Sequence, residues 1–231
     1  MANPAQAGWS EHFWAGSEAA VSDENKWIWF TGGALTILAF NFDTQISKSF
    51  ENREPNRFAD QVSDNMGTGI PGALIALTTL GVGAFQKNDR VLQAGQSHAE
   101  ALIATFAYTS LIKALVERDR PPDFTSHNSI FNASFPSGHT STAFATAGSV
   151  MASAGPMVGI PVLALAALTG YSRIQGRAHY LGDVLFGATL GYTMGTGFYR
   201  HHSGQLVASS LRVLPYVDDR DSWGVLTRYE F

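Results

Sequence analysis

The chain has 231 residues, enough for one domain with a sizeable core, and it carries a formal net charge of −4. This mildly acidic balance gives no indication of a nucleic-acid partner. The sequence contains no cysteine, which excludes thiol chemistry and cysteine-ligated metals.

The first half of the chain alternates between polar and apolar segments. Residues 1–26 are polar with scattered aromatic residues, and we interpret them as a lead-in. Residues 27–42 and 66–86 are uncharged and long enough for two helices, which a charged connection separates. A third helix is predicted over residues 91–119, where two consecutive prolines stop it.

The second half continues the helical pattern. Residues 140–172 carry no charge, and a Gly-Pro pair divides them into two helices. Gly176 interrupts the chain before a last helix over residues 179–199. The predicted fold class is therefore all-α, a bundle of about six main helices that occupies residues 27–202.

The C-terminal segment, residues 203–231, has a different pattern. Residues that favour β-structure recur at every second position near its end, from Trp223 to Phe231. This spacing predicts a strand, with a partner strand around residues 211–217. We therefore expect a short β-hairpin appended to the helical domain.

The stretch from Phe135 to Thr140 reads Phe-Pro-Ser-Gly-His-Thr and has the features of an anion site. Ser137 and Gly138 form a tight turn before a predicted helix, whose N-terminus offers free backbone N–H groups and the positive end of the helix dipole. His139 adds an acid/base group beside the anion. On its own, this stretch is equally compatible with a simple capped loop.

Two cations upstream point to the same chemistry. Lys113 and Arg120 stand seven residues apart, which on one helix returns both to nearly the same face. Lys113 has apolar neighbours, where an unpaired ammonium is costly, so we expect an anion partner rather than a solvated basic face. Arg118 would face another direction and is predicted to lie at the surface.

A third segment supplies a histidine and a carboxylate. His179 and Asp183 are four residues apart at a predicted helix start, so the carboxylate can fix the ring tautomer and raise the basicity of the far nitrogen. The alternative is a surface His–Asp pair. Arg173 would lie on another side of a continuous helix, so Gly176 must interrupt that helix for Arg173 and His179 to converge. No carboxylate cluster or histidine spacing predicts a metal site.

Together the three segments resemble the signature of the type 2 phosphatidic acid phosphatase (PAP2) superfamily. That signature is Lys, six residues, Arg-Pro; then Pro-Ser-Gly-His; then Ser-Arg, five residues, His, three residues, Asp. Every fixed position is present between Lys113 and Asp183, in the middle third of the chain. The superfamily includes lipid phosphatases, bacterial class A acid phosphatases and vanadium haloperoxidases, and the resemblance implies their helical fold.

The resemblance implies a metal-independent phosphoric monoester hydrolase that needs no cofactor and binds vanadate as an inhibitor. By this resemblance, His179 attacks phosphorus to form a phosphohistidine, which Asp183 supports, while His139 protonates the leaving alcohol and then activates water. The residues that would hold the phosphoryl oxygens are Lys113, Arg120, Ser137, Gly138 and Arg173.

Two other functions stay open. A vanadate-dependent haloperoxidase would use His179 to ligate vanadate. The haloperoxidases of this superfamily are, however, much longer than the 231 residues of this chain. A non-enzymatic anion-binding membrane protein would have no need for both histidines and Asp183. Within the phosphatase interpretation, the substrate is a lipid phosphate, such as a phospholipid or polyprenyl phosphate, or a small phosphate ester.

The sequence leaves the relation to the membrane unresolved. A spanning helix needs about 20 apolar residues, and only some of the predicted helices reach this length. The mean hydropathy of −0.01 is low for a protein with six spans. We therefore favour a soluble or membrane-associated enzyme that is periplasmic or otherwise exported, with an integral inner-membrane protein as the alternative. The pattern does not indicate an oligomeric state.

Overall fold

The computed structural model describes residues 9–22, 24–122, 124, 132–204, 211–217 and 223–229. The described residues up to Gly204 form a helical bundle, which confirms the predicted all-α class. The helices within them are α1 (Trp9–Ala20), α2 (Lys26–Phe40), α3 (Asp43–Ser49), α4 (Arg57–Met66), α5 (Ile70–Gln86), α6 (Asp89–Val116), α7 (Gly138–Ala154), α8 (Pro156–Gln175) and α9 (Leu181–His202).

Helix α9 lies at the centre of the bundle and packs against α1, α2, α6 and α7. Its residues are buried on most sides, because small and apolar side chains recur around the whole helix. The core around it contains Leu190, Met194 and Phe198, with alanines from α1 and α6. The centre of the fold is therefore the helix that begins directly after His179.

A stripe of glycines brings α9 into backbone contact with α7. Gly187, Gly191 and Gly195 are four residues apart and share one face of the helix. A Cβ atom on Gly191 would lie 2.0 Å from the carbonyl oxygen of Ser141, and one on Gly195 would lie 2.3 Å from that of Ala145. No side chain fits at these positions. We call these three residues and their contact with α7 the glycine seam.

Helix α6 ends earlier than the sequence suggests, and this changes the relation of two predicted site residues. Its last residue is Val116, and Glu117 has a left-handed backbone with φ of 47°. Pro121 also disfavours a helical conformation for the residue before it, Arg120. The prediction that Lys113 and Arg120 share one helix is therefore wrong: Lys113 is in the last turn of α6, and Arg120 lies in the segment that follows.

The outer surface of the bundle is strongly apolar. Large apolar side chains on several helices are exposed, among them Trp27, Phe30, Ile37, Leu77, Phe85 and Met157. Among the described residues, α6 and α8 are each long and apolar enough to cross a membrane. Helices α4 and α5 would together make a third span, bent by 48° at the break between them. These features favour a membrane location over the soluble form.

The chain continues beyond the bundle into two strands. β1 (Leu211–Val217) pairs antiparallel with β2 (Trp223–Tyr229), and Leu214 is opposite Leu226. The division of the chain into a lead-in, a catalytic domain and a C-terminal appendage stays a prediction.

Candidate active site

A cavity of about 350 Å³ lies at the end of the bundle where α6 finishes and α7 begins. Five of the predicted site residues line it: Lys113, Arg120, Gly138, His139 and His179. These residues come from three separate segments of the chain, so folding brings together what the sequence keeps up to 66 residues apart. Two cations, two histidines and a helix N-terminus facing one space make an anion site with acid/base groups.

The Ser-Gly turn forms the start of α7. Gly138 is the first residue of the helix and Ser137 is its N-cap. The Ser137 hydroxyl lies 2.9 Å from the hydroxyl of Thr140, and Ser137 itself is fully buried. Its backbone N–H donates to the carbonyl oxygen of Asp183 at 3.0 Å, which ties the start of α7 to the start of α9. Gly138 therefore lines the cavity, whereas Ser137 holds the turn in place.

His179 precedes α9 and is almost fully buried. Its Nδ1 atom lies 3.6 Å from Oδ2 of Asp183, and its Nε2 atom lies 3.4 Å from Nη1 of Arg120. A guanidinium can only donate hydrogen bonds, so Nε2 carries the lone pair and the ring proton is on Nδ1. Burial lowers the pKa of His179 to about 4, against the opposing effect of the nearby Asp183 carboxylate. The ring is therefore neutral at pH 7.

The two cations that line the cavity are held by backbone carbonyl groups. Lys113 donates from Nζ to the carbonyl oxygen of Ala133. Arg120 donates from Nε to the carbonyl oxygen of Asn132 and from Nη1 to that of Ala178, both at 2.8 Å. Burial lowers the pKa of Arg120, although a guanidinium stays charged at any physiological pH. Both positive charges are thereby fixed beside His179. Within the described residues, neither side chain donates a hydrogen bond to a carboxylate.

Arg173 does not line the cavity. Helix α8 ends at Gln175 with Gly176 as its C-cap, which agrees with the predicted interruption. The Arg173 side chain is directed towards α4, where Nη2 lies 3.8 Å from Asp64, and the backbone carbonyl of Arg173 accepts the N–H groups of Ala178 and His179 at 3.1 Å. The backbone of Arg173 therefore fastens the turn that carries His179. Its guanidinium is still close enough to add to the effect of burial in lowering the pKa of Arg120 and of His139.

Asp183 is fully buried and has partners that the sequence did not reveal. Its Oδ2 atom accepts from the hydroxyl of Ser134 at 2.5 Å, and its Oδ1 atom accepts from Nη1 of Arg118 at 2.7 Å. The same guanidinium donates from Nη2 to Asp43 at 2.7 Å. Burial opposes the charge of Arg118, but Asp183 and Asp43 together raise its pKa.

The prediction that Arg118 is a surface residue is therefore wrong. It assumed a helix that continued to Arg120, whereas the helix ends at Val116 and the following segment turns inwards. Asp43, the second partner of Arg118, is 75 residues away along the chain, and no local pattern in the sequence connects the two.

No group of three or more His, Asp or Glu side chains within the described ranges is arranged to hold a metal ion. The charged side chains that line the cavity are Lys113 and Arg120, and the neutral ring of His179, with Asp183 behind it, lies beside them. The site can therefore bind and polarise an anion through protein groups.

Two comparisons found known proteins to which the chain is similar. A family model described as PAP2 superfamily matches residues 96–205. Among solved structures, the chain is similar to a transmembrane PAP2-type phosphatidylglycerolphosphate phosphatase from Bacillus subtilis, with 23% identity and a TM-score of 0.62. The match covers 79% of this chain and 96% of that one. No curated protein matches the chain. The structural match establishes a shared fold.

Proposed function

Because the chain belongs to the PAP2 superfamily, we propose that it is a metal-independent phosphatase that hydrolyses the phosphomonoester of a membrane lipid through a phosphohistidine. The observation that carries this proposal is the cavity in which Lys113, Arg120, Gly138, His139 and His179 meet. A phosphate monoester fits these groups because its oxygens are anionic and its phosphorus can be attacked by a neutral imidazole.

The first step uses the free lone pair of His179. Burial and the neighbouring Arg173 lower the pKa of His139 to about 4 in the free protein, so His139 takes up its proton when the phosphate anion binds beside it. Nε2 of His179 forms a bond to phosphorus while the bond from phosphorus to the lipid alcohol breaks, and His139 gives that proton to the departing oxygen. As this bond forms, the ring becomes positively charged, and Asp183 stabilises that charge from the Nδ1 side. The products are the lipid alcohol and a phosphohistidine.

The second step regenerates the enzyme. His139, now neutral, takes a proton from a water molecule as the water oxygen bonds to phosphorus. The bond between phosphorus and Nε2 breaks, and inorganic phosphate leaves with the lone pair restored to His179. Lys113, Arg120 and the N–H of Gly138 stabilise the phosphoryl oxygens in both transition states, with Arg173 and Ser137 supporting the surrounding turns.

A lipid substrate is favoured by the surroundings of the cavity. An apolar groove of about 380 Å³ between α5 and α6 shares Thr68, Phe106 and Thr142 with the cavity lining. The groove is formed by Ile70, Ala73, Leu102 and Ile103 as well. An acyl or prenyl chain in this groove would leave its phosphate at the cations. The candidate membrane spans α6 and α4–α5 border the same groove, so the chain would enter from the bilayer.

The proposal is tested with protein purified in detergent. We expect phosphate release from phosphatidic acid and phosphatidylglycerolphosphate in mixed micelles, and slower release from the soluble nitrophenyl phosphate, which has no chain to occupy the groove. His179→Ala is the matched control and should release none. Equal kcat/KM for the lipid and soluble esters would contradict a lipid substrate, and no phosphate release from any of them would contradict the phosphatase itself.

A further inference from the structure

Asp43 is a buried carboxylate that lies outside all three sequence segments of the site. It is the first residue of α3 and is only 1% exposed. Its Oδ1 atom accepts the N–H of Gly182 at 2.9 Å, in the first turn of α9, and its Oδ2 atom accepts from Arg118 at 2.7 Å. A buried carboxylate whose two oxygens are bonded to different elements has a fixed position.

Arg118 is the bridge between Asp43 and the site. The guanidinium carbon lies over two aromatic rings, 4.9 Å from the ring centroid of Phe40 and 4.4 Å from that of Tyr180. Its two terminal nitrogens each donate to a different carboxylate, Asp43 and Asp183, at 2.7 Å. Only a planar fork can bond two acceptors in this way while it also contacts aromatic rings, so a lysine cannot replace it.

We propose that Asp43, acting through Arg118, is a positioning residue that holds Asp183 in the orientation needed by His179. This inference rests on the proposed function of the site. Arg118 occupies Oδ1 of Asp183, while Oδ2 accepts from the hydroxyl of Ser134 at 2.5 Å and from the N–H of Tyr180 at 2.8 Å and lies 3.6 Å from Nδ1 of His179. Arg118 gives this carboxylate its charge-assisted hydrogen bond, so a guanidinium that turned away from Oδ1 would loosen Asp183 and weaken the acceptor that orients the ring.

Asp43 also determines how much charge Asp183 keeps. Arg118 alone would neutralise Asp183, but the second carboxylate shares the guanidinium, so the three side chains together carry one net negative charge. That charge stabilises the positive charge that develops on His179 when Nε2 bonds to phosphorus. Without Asp43, Arg118 pairs with Asp183 alone and this stabilisation is weakened.

The test is Asp43→Asn, whose amide oxygen can still accept the N–H of Gly182. We expect kcat to fall roughly tenfold or more with little change in KM, because Asp43 acts on the transition state through Arg118. In an Asp183→Asn background the same substitution should have no further effect. Asp119→Asn is the matched control, since it removes an exposed carboxylate beside Arg118 and should leave kcat unchanged.

A second readout does not depend on turnover. The ring-nitrogen resonances of His179 report where the ring proton lies, and in Asp43→Asn we expect them to shift towards a mixture of tautomers, whereas Asp119→Asn should reproduce the wild-type signals. Wild-type resonances and wild-type kcat in Asp43→Asn would overturn the inference. It would also be overturned if kcat of the double variant fell by the product of the factors measured for Asp43→Asn and Asp183→Asn alone. If the wild-type protein released no phosphate, the proposed function would fail and the resonances would still decide this inference.

Loss of the fold is recognised from the elution profile in detergent and the far-ultraviolet circular dichroism. Should Asp43→Asn fail to fold, Arg118→Lys takes its place, because it keeps the charge but cannot bridge both carboxylates. The expected result is again a lower kcat with shifted His179 resonances, and wild-type values would overturn the inference.

Discussion

Gly67 and His139 are in such close contact that a Cβ atom on the glycine would lie 2.3 Å from Cδ2 of the imidazole ring. Gly67 follows α4 with φ of −75° and ψ of −20°, a conformation that alanine adopts readily. The space is therefore reserved for the histidine, and the backbone of this position does not itself require glycine.

We predict that Gly67→Ala moves the His139 ring and lowers kcat about 10- to 100-fold, since a small misplacement of a catalytic group has effects of this order. The matched control is Gly81→Ala, where nothing lies within 4 Å of the added Cβ. Steady-state kinetics of the two variants would decide the matter. Equal activity in both would mean that His139 has room to move without loss.

The two histidines should differ in the intermediate that they allow. With nitrophenyl phosphate, whose leaving group needs no proton, we expect His139→Ala to form phosphohistidine and to accumulate it, because hydrolysis then lacks its base. His179→Ala should form none. Rapid-quench labelling with radioactive phosphate measures both. Acid-labile label in His179→Ala would show that the two roles are reversed.

Chelators and vanadate should have opposite effects. We expect activity to survive EDTA, because the charges at the cavity belong to Lys113 and Arg120, and to be inhibited by vanadate, which mimics the five-coordinate transition state. Activity lost on chelation and restored by zinc or magnesium would contradict this. Oxidation of halide by the vanadate-loaded protein would instead support the haloperoxidase alternative.

The buried neutral ring of His179 should make stability depend on pH. Its pKa is about 4 in the folded protein, against about 6.5 for a histidine in an unfolded chain. Between these values the unfolded chain binds a proton that the folded protein does not, so stability falls as the pH decreases from 6.5 to 4. Above pH 6.5 the residue has no such effect.

Thermal unfolding in detergent checks this prediction with His179→Gln as the comparison. The variant should lose less stability than the wild type between pH 6.5 and 4, while the remaining histidines titrate alike in both proteins. Parallel curves would show that His179 is protonated as easily in the folded protein as in the unfolded chain.

The sequence predicted which residues line the cavity better than it predicted the helix ends and tertiary contacts that position them. The turn at Gly138 and the interruption at Gly176 depend on local backbone preferences, which short segments reveal. The end of α6 was misplaced because Glu117 adopts a left-handed conformation that its residue type does not announce. The bond between Arg118 and Asp43 joins positions 75 residues apart, so only the tertiary structure could disclose it.

Mean hydropathy underestimated how apolar the outer surface of the bundle is. Mean hydropathy averages over polar residues that the fold conceals, such as Lys113 at the cavity and Glu100, which contacts His202 at 2.9 Å. With these side chains turned inwards, the outward faces are far more apolar than the average suggests.

The glycine seam has a consequence for how the molecule moves. Because the backbones touch at Gly191 and Gly195, neither α7 nor α9 can rotate about its own axis without a collision. His139 lies in the first turn of α7 and His179 lies just before α9, so the seam holds together the two helices that position them. We expect the movement that admits a substrate to occur instead at the bend between α4 and α5, next to the apolar groove. We expect bilayer thickness to alter the rate of substrate entry through this break, and to leave the rate of phosphoryl transfer in the bound complex unaltered.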